Sequence, residues 1–172
     1  MGDEQQSGAR WDAAQEGAEL LREGEIDAAI SELTQVIAAD PNNEYALYFL
    51  GAAQFEKGRF DRALKAYVEA LRLAPEYVGA MVGAGHALRM MGRHAEALKM
   101  VHQVLGRDRD DPEGLHLAAL VHYARGERHA AAQYLDRFLR TGPELEVAQE
   151  AQGLLAMLRG EVQPMEDDKE VN

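Results

Sequence analysis

Apolar positions recur along the chain with a helical period and break off at regular places. In segment 44–77, Leu47, Leu50 and Gln54 share one face of a predicted helix, and Leu64, Tyr67, Ala70 and Leu71 share a face of the next. Gln54 is a polar intrusion at a place that should face the core. The breaks are glycines: Gly24, Gly58, Gly92, Gly126 and Gly160, each 34 residues from the last. Seven residues before each stands a small residue, namely Gly17, Gly51, Gly85, Ala119 and Gly153. Five residues after the first four comes alanine: Ala29, Ala63, Ala97 and Ala131. Pro41, Pro75 and Pro143 keep the same register; the third repeat has Arg109 there, with Pro112 following.

Each class has a physical task. A glycine such as Gly58 ends a helix where a left-handed backbone is needed. An apolar residue two places on, Ile26 or Phe60, can pin the turn to the core. Small residues before and after the turn sit where two helices cross and let the axes approach. The prolines stop the second helix. The pattern predicts helical hairpins over 10–43, 44–77, 78–111 and 112–145, and one further helix over 144–159. In that last helix Gln149 and Gln152 stand where apolar residues would meet a partner helix, so both should face water, as in the terminal cap of a stack.

These residues resemble the tetratricopeptide repeat. The resemblance implies an all-α, right-handed α-solenoid of helical hairpins: four units plus a C-terminal capping helix within 10–159. The first residues, 1–9, are expected as a flexible segment and 160–172 as an acidic disordered tail.

Composition narrows the function classes. Nearly half of the residues, 47%, are apolar, which argues for a packed core. Cysteine is absent, which excludes disulfides and thiolate metal sites and fits a reducing compartment. The formal net charge is -12, concentrated partly in the tail, and an acidic surface repels phosphate backbones; nucleic acid is not an expected partner. No apolar run approaches a membrane span. The start, Met1-Gly2-Asp3-Glu4-Gln5-Gln6, lacks the basic and apolar regions of a leader, and the location expected is cytoplasmic.

No catalytic arrangement emerges. Ser7, Ser31, Thr34 and Thr141 lack a nucleophile context, and the repeat accounts for the glycines without a phosphate loop. The reading is therefore not an enzyme, with no cofactor. His94 and His122 replace aromatic residues of the repeat and read as packing. His86 and His116 are placed in the groove, with no third metal ligand, so they read as polar lining rather than as a metal site.

In the family the first helix of each hairpin lines a concave surface that receives a peptide. Carried over by register, that surface takes Trp11, Ala14, Ala18, Leu21 and Arg22 from the first unit. Tyr45, Tyr48, Phe49, Ala52, Phe55 and Glu56 come from the second, Val82, His86, Arg89 and Met90 from the third, and Glu113, His116, Leu120 and Tyr123 from the fourth. The peptide-binding residues taken from this set are Tyr45, Tyr48, Phe55, Val82, His86, Arg89, His116, Leu120 and Tyr123. A chaperone-tail clamp of Lys, Asn, Asn, Lys and Arg does not fit: the matching places hold Ala14, Ala18, Phe49, Gly79 and Gly83, or, one unit on, Tyr48, Ala52, Gly83, Glu113 and Leu117.

The aromatic strip supports two readings at this point, packing between repeats or an open surface for an apolar segment. The leading function is a non-catalytic adaptor that binds a peptide or helix of another protein. A small acidic secretion chaperone, similar to those of type III translocators, is the second reading, and self-association through the strip the third.

Overall fold

The computed structural model describes residues 2–161. Those residues contain nine α-helices and no strand. They divide into two compact units, one up to Arg107 and one from Asp108. The fold is an all-α helical-repeat solenoid.

In the first unit α1 (Gly2–Arg22) pairs with α2 (Ile26–Ala39), α3 (Glu44–Glu56) with α4 (Phe60–Leu73), and α5 (Val78–Met90) with α6 (His94–Arg107). α2 packs on α3 and α4 on α5, so hairpin follows hairpin. In the second unit α7 (Pro112–Ala124) pairs with α8 (Arg128–Arg140), and α9 (Leu145–Arg159) packs on α8.

The turn inside a hairpin has one recurrent geometry. At Gly58 φ is +69°, a left-handed conformation that a side chain would strain. Gly58 N–H donates to the Phe55 carbonyl, and Arg59 N–H to the Gln54 carbonyl, which closes the last turn of α3. The periodic alanines Ala29, Ala63, Ala97 and Ala131 are fully buried. Gln54 is buried with them, and its Oε1 has no hydrogen-bond partner among the described residues.

Helix crossings in the first unit are bulky-into-small. A Cβ at Gly17 would stand 2.5 Å from Leu33 Cγ, and one at Gly51 2.8 Å from Tyr67 Cδ1. Tyr67 is 4% exposed, and burying such a ring contributes ~1.5–3 kcal/mol. At Gly153 in α9, the same place in the repeat, nothing lies within 4 Å. Gln149 and Gln152 on that helix are exposed.

The first helix starts at Gly2, so residues 2–9 form its opening turns. Ser7 Oγ lies 2.9 Å from the Tyr45 hydroxyl, and Arg10 pairs with Asp40 and Glu44. These contacts give the early turns of α1 a surface to lie on. Of the expected acidic tail, residues 162–172 lie outside the described residues.

Candidate functional site

Asn43 sets the second hairpin in place. It is 1% exposed and caps α3: its Oδ1 accepts from the Ala46 N–H at 2.9 Å. Its Nδ2 donates to the Arg10 carbonyl of α1 at 2.9 Å. One side chain thus both starts α3 and ties it to α1. Tyr45 and Tyr48 follow within the first turns.

From there an aromatic cluster spreads over the first helices of the first unit. Trp11 meets Tyr45 edge-on at 5.3 Å between centroids and Phe49 at 5.8 Å. Tyr45 meets Tyr77 at 5.9 Å, and Tyr48 meets Tyr77 at 4.9 Å and Phe49 at 5.1 Å. Such offset and edge-on pairs add ~0.5–1.5 kcal/mol each beyond the area they bury. Behind the cluster lies Tyr67, 5.9 Å from Tyr48. Burial raises the phenol pKa of both Tyr67 and Tyr77 well above its ordinary value, so neither ionises near neutral pH.

The expected groove residues fall into three groups. Tyr45, Tyr48, Phe55, His86 and Arg89 in the first unit are half-buried, as are His116 and Leu120 in the second. Trp11 and Tyr123 are openly exposed, at 45% and 48%. Val82 and Ala14 are corrections, because both are buried. Val82 belongs to a core cluster with Met81 and Val104, and Ala14 to the one around Leu33. The strip is therefore layered. Tyr48 and Phe55 pack on the core below with one side of the ring, and part of each remains at the surface.

Phe55 lies edge-on to Phe60 at 5.1 Å and to His86 at 6.4 Å. Val82, His86 and Arg89 follow at intervals of four and three, one face of α5. Arg89 differs from its neighbours. Its Nε is buried and has no hydrogen-bond partner among the described residues, and burial lowers its pKa. In the second unit the His116 ring stacks on Phe138 at 4.8 Å. His122 stacks on Tyr134 at 5.2 Å, and its Nδ1 lies 2.5 Å from Glu127 Oε2, in keeping with a packing role.

Among the described residues no three His, Cys, Asp or Glu side chains gather as a metal site, and no helix is long and apolar enough to cross a membrane. A separate cleft of about 620 Å³ opens on the second-helix side of the first unit, lined by Leu47, Leu50, Leu64, Val68 and Met91 with Arg62 and Lys65. Register reasoning pointed to the first helices and did not anticipate it. Val68 on α4, in its lining, is 51% exposed, which no spacing in the sequence reveals.

Two family models described as tetratricopeptide repeat match the chain, at residues 14–78 and 55–121. Superkiller complex protein 3 of Homo sapiens is 26% identical over 141 residues, which cover 76% of this chain and 9% of that protein. The CTR9 homolog of Arabidopsis thaliana is 33% identical over 100 residues, 58% of this chain and again 9% of the relative. The chain thus spans about a tenth of the length of these relatives. A thermophilic repeat protein of Thermus thermophilus superposes with a TM-score of 0.73 at 23% identity, over 88% of this chain and 82% of that one, which is a likeness of fold. The two family models together span more than half of the sequence. The chain belongs to the tetratricopeptide repeat family.

Proposed function

We propose that this chain is a non-catalytic protein-interaction scaffold that holds an apolar peptide or helix of another protein on the concave face of its first helices. The observation that carries this reading is the layered aromatic surface. Tyr45, Tyr48 and Phe55 are braced by packing on one side and leave part of the ring at the surface, and Trp11 is 45% exposed beside them. Rings held in place before binding lose little rotamer freedom on contact, which favours affinity. Extended repeat surfaces of this kind suit segments rather than small molecules. The name of Superkiller complex protein 3 places that relative in a multiprotein complex, which agrees with a scaffold role.

The direct test is affinity capture from a lysate of the source organism with the wild-type chain and Trp11→Ala. The replaced ring is exposed, so the variant should fold. A partner retained by wild type and lost by the variant supports the reading. A partner retained equally by both removes it.

A further inference from the structure

Three arginines among the described residues are half-buried: Arg10, Arg89 and Arg137. Two of them are neutralised. Arg10 pairs with Asp40 at 3.2 Å and with Glu44 at 3.4 Å. Arg137 pairs with Asp110 at 3.1 Å and also reaches the Arg109 carbonyl. Exposed arginines without an ion pair, such as Arg22, Arg59 and Arg62, have water around them. Arg89 alone is both half-buried and unpaired among the described residues.

A guanidinium is charged at any accessible pH and offers five donors. Withdrawing one from water without an acceptor costs free energy that a packed apolar residue would not. Acids are abundant here, 30 against 18 bases, so a carboxylate beside Arg89 would have been easy to supply. No described carboxylate pairs with it, its Nε is unpartnered among the described residues, and burial lowers its pKa.

The position of Arg89 indicates what fits. It lies one turn beyond His86 on the same face of α5, and His86 adjoins Phe55. Next to it along α5, Met90 is 45% exposed. Apolar residues therefore flank the guanidinium on both sides along the helix. A chain that ended at Arg89 would leave the methionine side uncovered, whereas one that passes through would cover both.

We propose that Arg89 is the polar anchor of the groove and takes the carboxylate of an Asp or Glu side chain, flanked by apolar residues, within the bound segment. The proposal rests on the groove reading and adds the chemistry of the partner. Bidentate pairing of guanidinium with carboxylate supplies direction as well as strength, which an apolar surface lacks.

The test uses the full chain and a display library of C-terminally amidated peptides. Their apolar positions are randomised around a fixed central Glu or Gln. Affinities of selected peptides and of their Glu/Gln twins are measured by fluorescence anisotropy. Wild type should bind the Glu twin about tenfold more tightly than the Gln twin. Arg89→Gln should bind both twins alike, and Arg89→Lys should keep part of the preference. Circular dichroism of both variants establishes that they are folded. A third twin carries Gln centrally and a free terminal carboxylate. If it matches the Glu twin, the anchor takes a chain end, and the proposal of an internal acid is overturned. Equal binding of Glu and Gln twins by wild type overturns the anchor and leaves the groove standing. A preference that survives in Arg89→Gln does the same. If the library yields no binder on this face, groove and anchor both fall.

Discussion

A methyl group on Gly51 would stand 2.8 Å from ring carbon Cδ1 of Tyr67, closer than packed carbon atoms come. The ring also occupies the space that a side chain at Gly83 would need. Tyr67 on α4 is thus lodged against glycines of α3 and α5 and locks the second hairpin to the third. Above it sit Tyr48 and Tyr77, so the proposed binding face rests on this contact.

The repeat places Gly51 and Gly153 at the same position, but their surroundings differ. Gly51→Ala must displace Tyr67 and should destabilise the fold by ~1–3 kcal/mol. Gly153→Ala meets no atom within 4 Å and gains helix propensity, so it should be neutral or stabilise by up to ~1 kcal/mol. Urea unfolding of both variants checks the contrast. Equal effects at the two sites would mean that the crossing at Gly51 relaxes freely.

Much of this arrangement is legible in the sequence, and the limit is physical. Gly24, Gly58, Gly92, Gly126 and Gly160 all have positive φ, because the requirement at each turn is local. Buried Ala29, Ala63, Ala97 and Ala131 follow from the same register. Gly83 is different: it stands outside the repeated frame, and its reason is a ring from the preceding hairpin. Val82 falls in the groove register, yet it is buried in a core cluster with Met81 and Val104. The missing partner of Arg89 is equally invisible in a linear pattern, since no spacing records which side chains fail to meet.

Arg89 should weigh against stability in the free chain. Arg89→Met removes an unpaired, half-buried charge and keeps the apolar stem, so it should leave stability unchanged or raise it by up to ~1 kcal/mol. Thermal melts decide the sign. A loss larger than that would show that the guanidinium is satisfied in solution.

Tyr123 and Phe55 should separate surface from support. Tyr123 is 48% exposed, so Tyr123→Ala should change stability by no more than ~0.5 kcal/mol. Phe55 packs on the core beneath α3 and α5, and Phe55→Ala should cost ~2 kcal/mol, less than a fully buried ring. If the two variants melt together, the layering of the face is wrong.

Acid should loosen the end of α7 through Glu127. The hydrogen bond from His122, then that from Arg125, holds this carboxyl below its ordinary value of 4.5. A lowered folded-state pKa means that the contribution is full above that ordinary value. It is lost as pH falls through the folded value. Glu127→Gln should therefore melt below wild type near neutral pH, with the gap closing as pH drops below about 4.5. A gap that stays constant across that range would remove the ionised carboxylate from the explanation.

Site-specific photo-crosslinking tests the central claim most directly. Benzoylphenylalanine is placed at Trp11, 45% exposed on the proposed binding face, and, in a second chain, at Val68, which is 51% exposed on the second-helix side of the same unit. Both are expressed in the source organism and irradiated, and adducts are identified by mass spectrometry. The account predicts a discrete protein adduct from position 11, mapped to an apolar segment, and none of that protein from position 68. The same protein captured from position 68 and absent from position 11 would contradict it.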